Sequence, residues 1–478
     1  MKLRGWQNAC IDLAYKKYVG GGKHFLTLAT PGAGKTIKAS ALADRLLREG
    51  LIDLVFCFSP SSVVSKDFCE ALQLIVKERF DGLLGSKGQS LTYQSMQYLD
   101  NEFWNLFKKY RVFVIFDEIH HCSGSNIENA NGWGEQIILN IQDQAAYTLA
   151  LTGTPWRSDT APIVLSRYSD GSNKIECDYV YGLCEAISDD VCRIPQVVII
   201  DNDNISITEK NETRSFTCFK DLLSLSVFPY QEIIKNERVM IHLIELADQR
   251  LSSIRKVNPE AGGLVVASSV EHAHQIASLM YKQFREEALV VTYREDEPTQ
   301  LIREFRNGNI KWVISVGMIS EGTNIPRLQV CCHLTNIKTE MHYRQILGRI
   351  LRMTDSANQE AVLYMPAEPK LIEYAYRVAE DIPTEADVVK FEKMKTKFKA
   401  NVQTDNETET TGRDSIERET NEESDKHRLD LGTFKGTEPP LKDNLPENSF
   451  LSSSYEKMMD IYGRFQQETL ELGLAPLK

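Results

Sequence analysis

The chain has 478 residues, of which 42% are hydrophobic and 26% charged, and it is long enough for two or three folded cores. This composition excludes wholesale disorder, collagen-like repeats and a chain made of coiled coil alone. The apolar runs have the length of strands, whereas a membrane span needs about 20 apolar residues. No apolar signal core follows the N-terminus, so we expect a cytoplasmic protein without a membrane segment.

The net charge and the spacing of the cysteines narrow the class of protein further. The net charge of −12 argues against a protein whose whole surface coats nucleic acid, although it leaves room for a local basic groove. Residues 404–430 carry ten acidic and four basic side chains with few aliphatic ones, which predicts an acidic disordered linker over 401–450. The ten cysteines are scattered without a CxxC pair, which predicts reduced thiols rather than a zinc site.

Strands and helices alternate in the first part of the chain. A strand over 24–30 runs into a glycine-rich turn and is followed by an amphipathic helix over 36–49. Further apolar runs predict strands over 51–58, 111–116 and 147–151. Such alternation predicts a mostly parallel sheet with its chemistry at the carboxyl ends of the strands.

The same alternation restarts after a less regular middle. The predicted strands are 196–200, 263–267, 289–292, 311–316 and 330–334, and the predicted helices are 239–255, 271–284 and 299–306. The polar stretch 201–213 predicts a loop, and apolar spacing over 455–472 predicts a helix. The chain is therefore expected to hold two α/β units of similar size.

The strongest local motif is Ala29-Thr30-Pro31-Gly32-Ala33-Gly34-Lys35-Thr36, which lies between a predicted strand and a predicted helix, as a phosphate-binding loop requires. Backbone N–H groups of the loop and of the helix N-terminus would face the anion. Lys35 would supply charge for the β- and γ-phosphates, and Thr36 a hydroxyl for Mg²⁺. The residues predicted to hold the nucleotide here are Pro31, Gly32, Ala33, Gly34, Lys35 and Thr36.

An acidic pair, Asp117-Glu118, follows the strand over 111–116. Asp117 suits Mg²⁺ bound through water, and Glu118 suits polarising the attacking water. The adjacent His120 and His121 could ligate a metal by composition alone. Because no further ligand pair lies nearby in the sequence, a coupling role for His120 is the preferred interpretation.

Together, the loop and the acidic pair resemble the ATP site of superfamily 2 helicases of the DExH type, and other motifs of that family follow in its order through residue 375. The resemblance implies further nucleotide contacts at Arg4, Gln7, Glu321, Gly322 and Asn324. It implies nucleic-acid contacts at Ser59, Pro60, Ser61, Thr92, Gln94, Ser268 and Ser269. It implies coupling of ATP state to strand contact through His120, Thr152, Gly153 and Thr154.

The segment 345–352 resembles the arginine-finger motif of the same family, with Gln345, Arg349 and Arg352 as its catalytic residues. Arg349 and Arg352 lie three residues apart and so share one helix face. A guanidinium can stabilise charge on the γ-phosphate, and both arginines would reach ATP only when two domains close. Two residues depart from the family pattern: Ala29 replaces the usual first glycine of the loop, and Asn324 stands where Asp is common.

The resemblance implies an α/β fold of two tandem RecA-like domains with parallel sheets. The predicted units are RecA-like domain 1 over 1–160, a connector over 161–190, RecA-like domain 2 over 191–380, a helical extension over 381–400, the acidic linker over 401–450 and a C-terminal helix over 451–478. ATP and Mg²⁺ would lie in the cleft between the two domains. Four aromatics, Tyr93, Trp133, Trp156 and Trp312, could stack on bases, although core packing is the preferred interpretation.

Within the family, the motifs are most similar to those of restriction and phage-defence helicase subunits. We therefore expect an ATP-dependent helicase or translocase acting on DNA rather than RNA, with a nuclease or other defence protein as its partner. The alternative is an ATP-gated switch that senses nucleic acid and signals to a partner enzyme without processive unwinding. A transporter-type or chaperone P-loop ATPase conflicts with the ordered motifs of the second half.

Overall fold

The structure, a computed structural model, describes residues 2–154, 161–169, 175–209, 212–225, 228–319, 323–378 and 457–471. The predicted helical extension over 381–400 and the predicted acidic linker over 401–450 lie outside these residues. Within the described part, two α/β units follow one another along the chain, as the sequence predicted.

The first unit is built on a six-stranded parallel sheet and also contains a separate antiparallel pair of strands. Its strands are β1 (His24–Ala29), β2 (Leu54–Ser59), β3 (Gly88–Thr92), β4 (Val112–Phe116), β5 (Tyr147–Thr152), β6 (Arg167–Tyr168), β7 (Ile175–Glu176) and β8 (Tyr179–Tyr181), of which β6 and β7 form the separate pair. Its helices are α1 (Gly5–Val19), α2 (Lys35–Arg48), α3 (Ser62–Val76), α4 (Asn101–Lys109), α5 (Gly132–Asn140) and α6 (Leu183–Ser188). Every residue of β4 is buried, because helices cover both faces of the sheet.

The strand order of this sheet is β3-β2-β4-β5-β1-β8. In register, Leu28 of β1 lies opposite Thr152 of β5, and Phe116 of β4 lies opposite Ala150 of β5. Because these strands are parallel and adjacent, their carboxyl ends meet at one edge. The loop after β1, the acidic pair after β4 and the segment after β5 therefore begin side by side.

The first sheet extends beyond the boundary predicted at residue 160. Strand β8 lies in the predicted connector 161–190, yet it pairs in parallel with β1, with Thr27 opposite Tyr179. The predicted boundary is wrong at this strand, because three residues are too few to show a period in the sequence. The chain passes to the second sheet after α6.

The second unit is also built on a mostly parallel sheet. Its strands are β9 (Pro195–Asn202), β10 (Ile205–Glu209), β11 (Glu212–Phe216), β12 (Gly262–Ala267), β13 (Ala288–Val291), β14 (Trp312–Ser315), β15 (Leu328–Leu334), β16 (Ala361–Pro366), β17 (Lys457–Ile461) and β18 (Phe465–Glu471). Its helices are α7 (Phe219–Leu225), α8 (Tyr230–Lys235), α9 (Glu237–Arg255), α10 (Val270–Phe284), α11 (Pro298–Asn307), α12 (Glu340–Ile350) and α13 (Pro369–Arg377). The main sheet has the order β13-β14-β12-β15-β16-β9-β18, with only β18 antiparallel to its neighbour.

Two predictions for this unit are wrong. The polar stretch 201–213 is not a loop, because β10 and β11 form an antiparallel hairpin there. The predicted C-terminal helix over 451–478 is replaced, where the structure describes it, by β17 and β18, which pair with β10 and β9. The free edges of β9 and β10 supply main-chain partners for these strands, and pairing of this kind overrides a local helical spacing.

Arg193 anchors the start of the second unit. Its guanidinium is buried, at 1% exposed, and it donates to the carbonyl oxygens of Leu328 (2.7 Å) and Ile350 (3.1 Å) and to Gln359 Oε1 (3.0 Å). Burial lowers the pKa of Arg193 to about 10, which still leaves the side chain charged at neutral pH. These bonds join the connection between the units to the ends of β15 and α12.

The ten cysteines all lie in the described part of the chain, where no disulfide joins them. In the described ranges, no helix combines the length and the apolar character that crossing a bilayer demands.

The terminal strand should contribute measurably to the stability of the second unit. The Phe465 ring stacks on His242 of α9, with centroids 4.2 Å apart and ring planes within 9°. We expect Phe465→Ala to lower the free energy of unfolding by about 1–2 kcal/mol, because the change removes this contact. On the same strand, Gln466→Ala at an exposed position should change it by less than about 0.5 kcal/mol. Urea unfolding of both variants tests this, and equal stability would argue against a docked strand.

Candidate active site between the two units

The phosphate loop has a backbone that only glycine adopts easily at two positions. Gly32 and Gly34 have φ angles of +88° and +96°. Gly34 is the residue before α2, so the helix starts at Lys35 and its first N–H groups point into the space above the loop. A Cβ at Gly34 would lie 2.8 Å from Gln7 Nε2. The sequence motif therefore folds as an anion-binding turn at a helix N-terminus.

The acidic pair lies directly beside the loop lysine. Lys35 Nζ is 3.1 Å from Glu118 Oε1, and the Gly153 N–H donates to Glu118 Oε2 at 3.1 Å. Burial acts to raise the pKa of Glu118, but Lys35 and the Gly153 N–H outweigh it and hold that pKa well below its usual range. Glu118 is therefore ionised at neutral pH. It also adopts a φ of +50°, an uncommon angle for a residue with a side chain.

The pKa of Asp117 is shifted in the opposite direction to that of Glu118. It is 7% exposed, and burial together with the charge of Glu118 raises its pKa. A cation placed beside it would reverse that shift, because positive charge favours the ionised carboxylate. Asp117 and Thr36 line the same cavity. One or two protein oxygens are what Mg²⁺ normally takes when phosphates and waters complete its shell, so this donor set fits Mg²⁺.

His120 connects the acidic pair to the segment after β5. Its Nδ1 lies 3.0 Å from Thr152 Oγ1 and 3.4 Å from Glu118 Oε2. The Thr152 hydroxyl already donates to the Thr154 carbonyl at 2.8 Å, so Nδ1 of His120 is the donor to Thr152. The structure therefore brings together all four residues predicted to couple ATP state to strand contact.

Tyr93 is a residue at this site that the sequence did not assign to it. Its ring is buried and stacks on Trp133 at 5.6 Å, which agrees with the preferred core interpretation, and its hydroxyl donates to the Asp117 carbonyl at 2.7 Å. Trp312 is also buried and donates to Asp248 at 2.8 Å. Trp156 lies outside the described residues. Only a long-range contact reveals the role of Tyr93, so no sequence signal could have found it.

Two residues at the start of α1 brace the loop from one side. Arg4 Nη1 donates to the Ala33 carbonyl at 2.8 Å, and Gln7 Nε2 donates to the Gly34 carbonyl at 3.0 Å. Gln7 is 3% exposed and also accepts from the Arg4 N–H at 2.9 Å. Arg4 lines the cavity, whereas Gln7 lies behind it against the loop.

The two predicted arginines approach the loop from the second unit. Arg349 and Arg352 donate to the Thr323 carbonyl at 2.7 and 2.9 Å, and Arg352 also donates to Asn324 Oδ1 at 2.6 Å. Burial, followed by the charge of Arg349, lowers the pKa of Arg352 to about 9. Gln345 is buried on α12 with Arg349, whereas Arg352 follows the end of that helix at Ile350, so the predicted shared helix face of the two arginines is wrong. Glu321 and Gly322, also predicted here, lie outside the described residues.

Helix α12 packs directly against the phosphate loop. A Cβ at Gly348 would lie 2.5 Å from Pro31 Cβ, and one at Gly32 would lie 3.1 Å from Arg352 Cγ. The two units therefore meet around a cavity of about 460 Å³, within the range of roughly 300–1,000 Å³ typical of small-molecule sites. Predicted residues that line it from both units are Arg4, Pro31, Gly32, Gly34, Lys35, Thr36, Asp117, Glu118, Asn324, Arg349 and Arg352.

The predicted nucleic-acid contacts lie at the carboxyl edges of both sheets. Ser61 Oγ accepts from the Val64 N–H and caps α3, and Ser269 Oγ accepts from the His272 N–H and caps α10. Of the other predicted nucleic-acid contacts, Pro60, Thr92 and Ser268 are partly exposed and Gln94 is exposed. Ser59 is fully buried at the end of β2, and its contact with nucleic acid stays a prediction. A motif fixes the position of its backbone, not the direction of each side chain.

Comparison with known proteins follows the same division of the chain. Residues 1–157 match the family model described as type III restriction enzyme, res subunit, and residues 243–354 match the helicase conserved C-terminal domain. The chain is 31% identical over 398 residues to an uncharacterised protein of Mycobacterium tuberculosis, which covers 78% of this chain and 62% of that protein. An uncharacterised protein of Mycobacterium leprae is 29% identical over 388 residues, with 78% and 63% covered. The chain thus spans less than two thirds of the length of these relatives.

A solved structure has the same fold. A fragment of an HsdR subunit of a type I restriction enzyme from Vibrio vulnificus superposes with a TM-score of 0.53 at 15% identity, covering 78% of this chain and 65% of that one. The chain belongs to the superfamily 2 helicases related to restriction-enzyme subunits, and its two units are tandem RecA-like domains, as the sequence predicted.

The left-handed backbone of the loop should be essential for nucleotide binding. Gly34→Ala places a Cβ at a φ of +96°, at a cost of about 1–2 kcal/mol, and displaces Gln7. We expect nucleotide affinity to fall by about 10-fold or more, which corresponds to 1.4 kcal/mol. The matched control is Gly21→Ala, which has nearly the same φ of +93° but meets open space. Titration with a fluorescent ATP analogue should separate the two variants, and equal affinities would contradict a role for this loop.

Proposed function

We propose that this superfamily 2 helicase hydrolyses ATP between its two RecA-like domains and uses the cycle to move along or unwind DNA. The observation that carries the proposal is the convergence of Lys35 and Glu118 from one domain with Arg349 and Arg352 from the other on a single cavity. A cation at a helix N-terminus, an acid pair and two guanidiniums from the second domain are the parts that phosphoryl transfer from ATP requires.

In this mechanism the triphosphate binds over the loop. The N–H groups at the start of α2 and the charge of Lys35 neutralise the β- and γ-phosphates. Thr36 and Asp117 would hold Mg²⁺, which shields the phosphate oxygens and favours attack on phosphorus. Arg4 lines the cavity and is proposed to contact the nucleotide.

Glu118 is the residue proposed to orient and polarise the attacking water. Its low pKa keeps it ionised, so it accepts a hydrogen bond from water and directs a lone pair of the water at the γ-phosphorus. It is bound to Lys35 in the structure, at 3.1 Å. When phosphate oxygens take over Lys35, one carboxylate oxygen of Glu118 becomes free to bind water.

Arg349 and Arg352 are proposed to stabilise the transferring phosphoryl group. Both now donate to the Thr323 carbonyl, which is a neutral acceptor. Phosphate oxygens offer shorter, charge-assisted bonds, so the guanidiniums gain by turning from Thr323 to ATP. This change of hydrogen-bond partner links ATP binding to the contact between the two domains.

DNA is the proposed polymer because the matching family model is described as a restriction-enzyme subunit. The helix caps Ser61 and Ser269 lie at the carboxyl edges of their sheets, where free N–H groups can bind phosphates of a strand. Such contacts need few basic side chains, which agrees with the net charge of −12. In this proposal a nuclease or other defence activity belongs to a partner protein.

The first test is the ATPase rate with and without single-stranded DNA, duplex DNA and RNA. We expect stimulation by DNA in the wild type, and a loss of about 10²-fold or more in Glu118→Gln, because the amide cannot polarise water. Nucleotide binding should persist in this variant. A rate that ignores every nucleic acid would contradict the proposed motor. Stimulated hydrolysis with neither displacement of a labelled strand nor movement along duplex DNA would instead support the ATP-gated switch.

The arginines should act on the rate rather than on ATP affinity. We expect Arg349→Ala and Arg352→Ala each to lower kcat by roughly 10³-fold or more, since an arginine finger contributes about 10³–10⁵. The KM for ATP should change far less, because Lys35 and the loop remain. A steady-state titration of ATP at saturating DNA measures both constants. A raised KM with an unchanged kcat would show that the arginines only bind substrate.

A further inference from the structure

A third arginine enters the cleft from a helix outside the family motifs. Arg306, near the end of α11, lines the cavity, and its Nη2 lies 3.3 Å from Asp67 Oδ2 of α3. The two side chains are 25% and 33% exposed. Arg306 Nε is buried, and no hydrogen-bond partner for it exists among the described residues. This ion pair joins domain 2 to domain 1 at the rim of the ATP site.

The end of α11 is held rigidly in domain 2. The guanidinium of Arg327 donates to the carbonyls of Phe305 (2.9 Å) and Glu260 (2.7 Å) and lies over the Phe305 ring at 4.4 Å from its centroid. Arg327 belongs to the segment that starts at Thr323, whose carbonyl accepts from the two catalytic arginines. Arg306 therefore moves together with the arginine-bearing face of domain 2.

On the opposite side, Asp67 lies on a helix that reaches the predicted DNA edge. Helix α3 begins after its cap Ser61, and Asp67 lies on its second turn, facing the cavity with Glu70. A shift of α3 on strand binding would move Asp67 relative to domain 2. The ion pair thus connects α3, which carries a predicted DNA contact, to the domain that carries Arg349 and Arg352.

We propose that Arg306 is a positioning residue, whose pairing with Asp67 draws α11 onto α3 and sets the closed cleft in which Arg349 and Arg352 face the phosphate loop. This inference rests on the proposed ATP hydrolysis. A partly exposed pair contributes little to overall stability, so its effect is on the distance between the domains rather than on folding. Small errors in that distance are costly for a reaction that depends on alignment.

The experiment compares Asp67→Ala, Arg306→Ala, the double variant and the charge-exchanged Asp67→Arg/Arg306→Asp in the full chain. At saturating DNA, we expect each single variant to lower kcat by about 10-fold, since misplacement of aligned groups costs up to about 10²-fold. The double variant should be no slower than either single one, because both remove the same contact. The exchanged pair should recover most of the lost rate. Arg303→Ala, at an exposed position of α11, is the matched control and should keep the wild-type rate.

Two results would overturn the proposal. If Arg306→Ala were about 10-fold slower than Asp67→Ala and the exchanged pair recovered nothing, Arg306 would act on ATP directly rather than through Asp67. If all the Asp67 and Arg306 variants kept the wild-type rate, the pair would have no part in closure.

A second measurement separates this proposal from the proposed function. If the wild type hydrolyses no ATP, hydrogen exchange of the nucleotide-free chain still reports the contact between α3 and α11. We expect Arg306→Ala to speed amide exchange in 62–76 and 298–307 relative to Arg303→Ala. The reason is that loss of the contact between α3 and α11 lets both helices open more often. Identical exchange in the two variants would overturn the positioning role, whether or not the protein is an ATPase.

Discussion

The parallel register of β1, β5 and β4 is the constraint on which the rest of the site depends. Because these three strands are neighbours, the phosphate loop, the acidic pair and the Thr152–Thr154 segment leave the sheet at one edge. Distances near 3 Å between Lys35, Glu118 and Gly153 follow from that arrangement rather than from the local sequence of any one loop. A shift of one residue in the register of β4 would turn each of its side chains to the other face of the sheet and would displace Asp117 and Glu118 from the phosphate loop.

The charged groups of the cleft have partners within the protein. Lys35 pairs with Glu118, and Arg349 and Arg352 share the carbonyl of Thr323. A hydrogen bond from a charged donor contributes about 1.5–3 kcal/mol, so releasing these groups without a replacement is costly. Phosphate oxygens are stronger acceptors than a neutral carbonyl, and they can replace these partners one by one. In the proposed cycle these cations stay in defined positions until the phosphate oxygens of ATP replace their protein partners.

Local motifs and long-range contacts differed in how well the sequence predicted them. The phosphate loop and the strands before it are local patterns of glycine and apolar residues, so their positions and the α/β class could be predicted. Strands β8 and β18 depend on the free edges of β1 and β9, which no window of sequence contains. The bond from Tyr93 to Asp117 and the pair between Arg306 and Asp67 join residues far apart in the chain, and only the folded structure brings them together. For the same reason the burial of Ser59 could not be predicted from its motif.

In the proposed mechanism, the Glu118 carboxylate connects the nucleotide site to the rest of domain 1. One carboxylate oxygen binds Lys35, while the other accepts from Gly153 and lies 3.4 Å from His120. If phosphate takes Lys35 away, the carboxylate can rotate toward water, and both of its other contacts lengthen. His120 is held to Thr152, and Thr152 to Thr154, so the disturbance passes directly into the segment after β5. In the proposed mechanism, water activation and movement of the segment after β5 are therefore two consequences of one side-chain rotation.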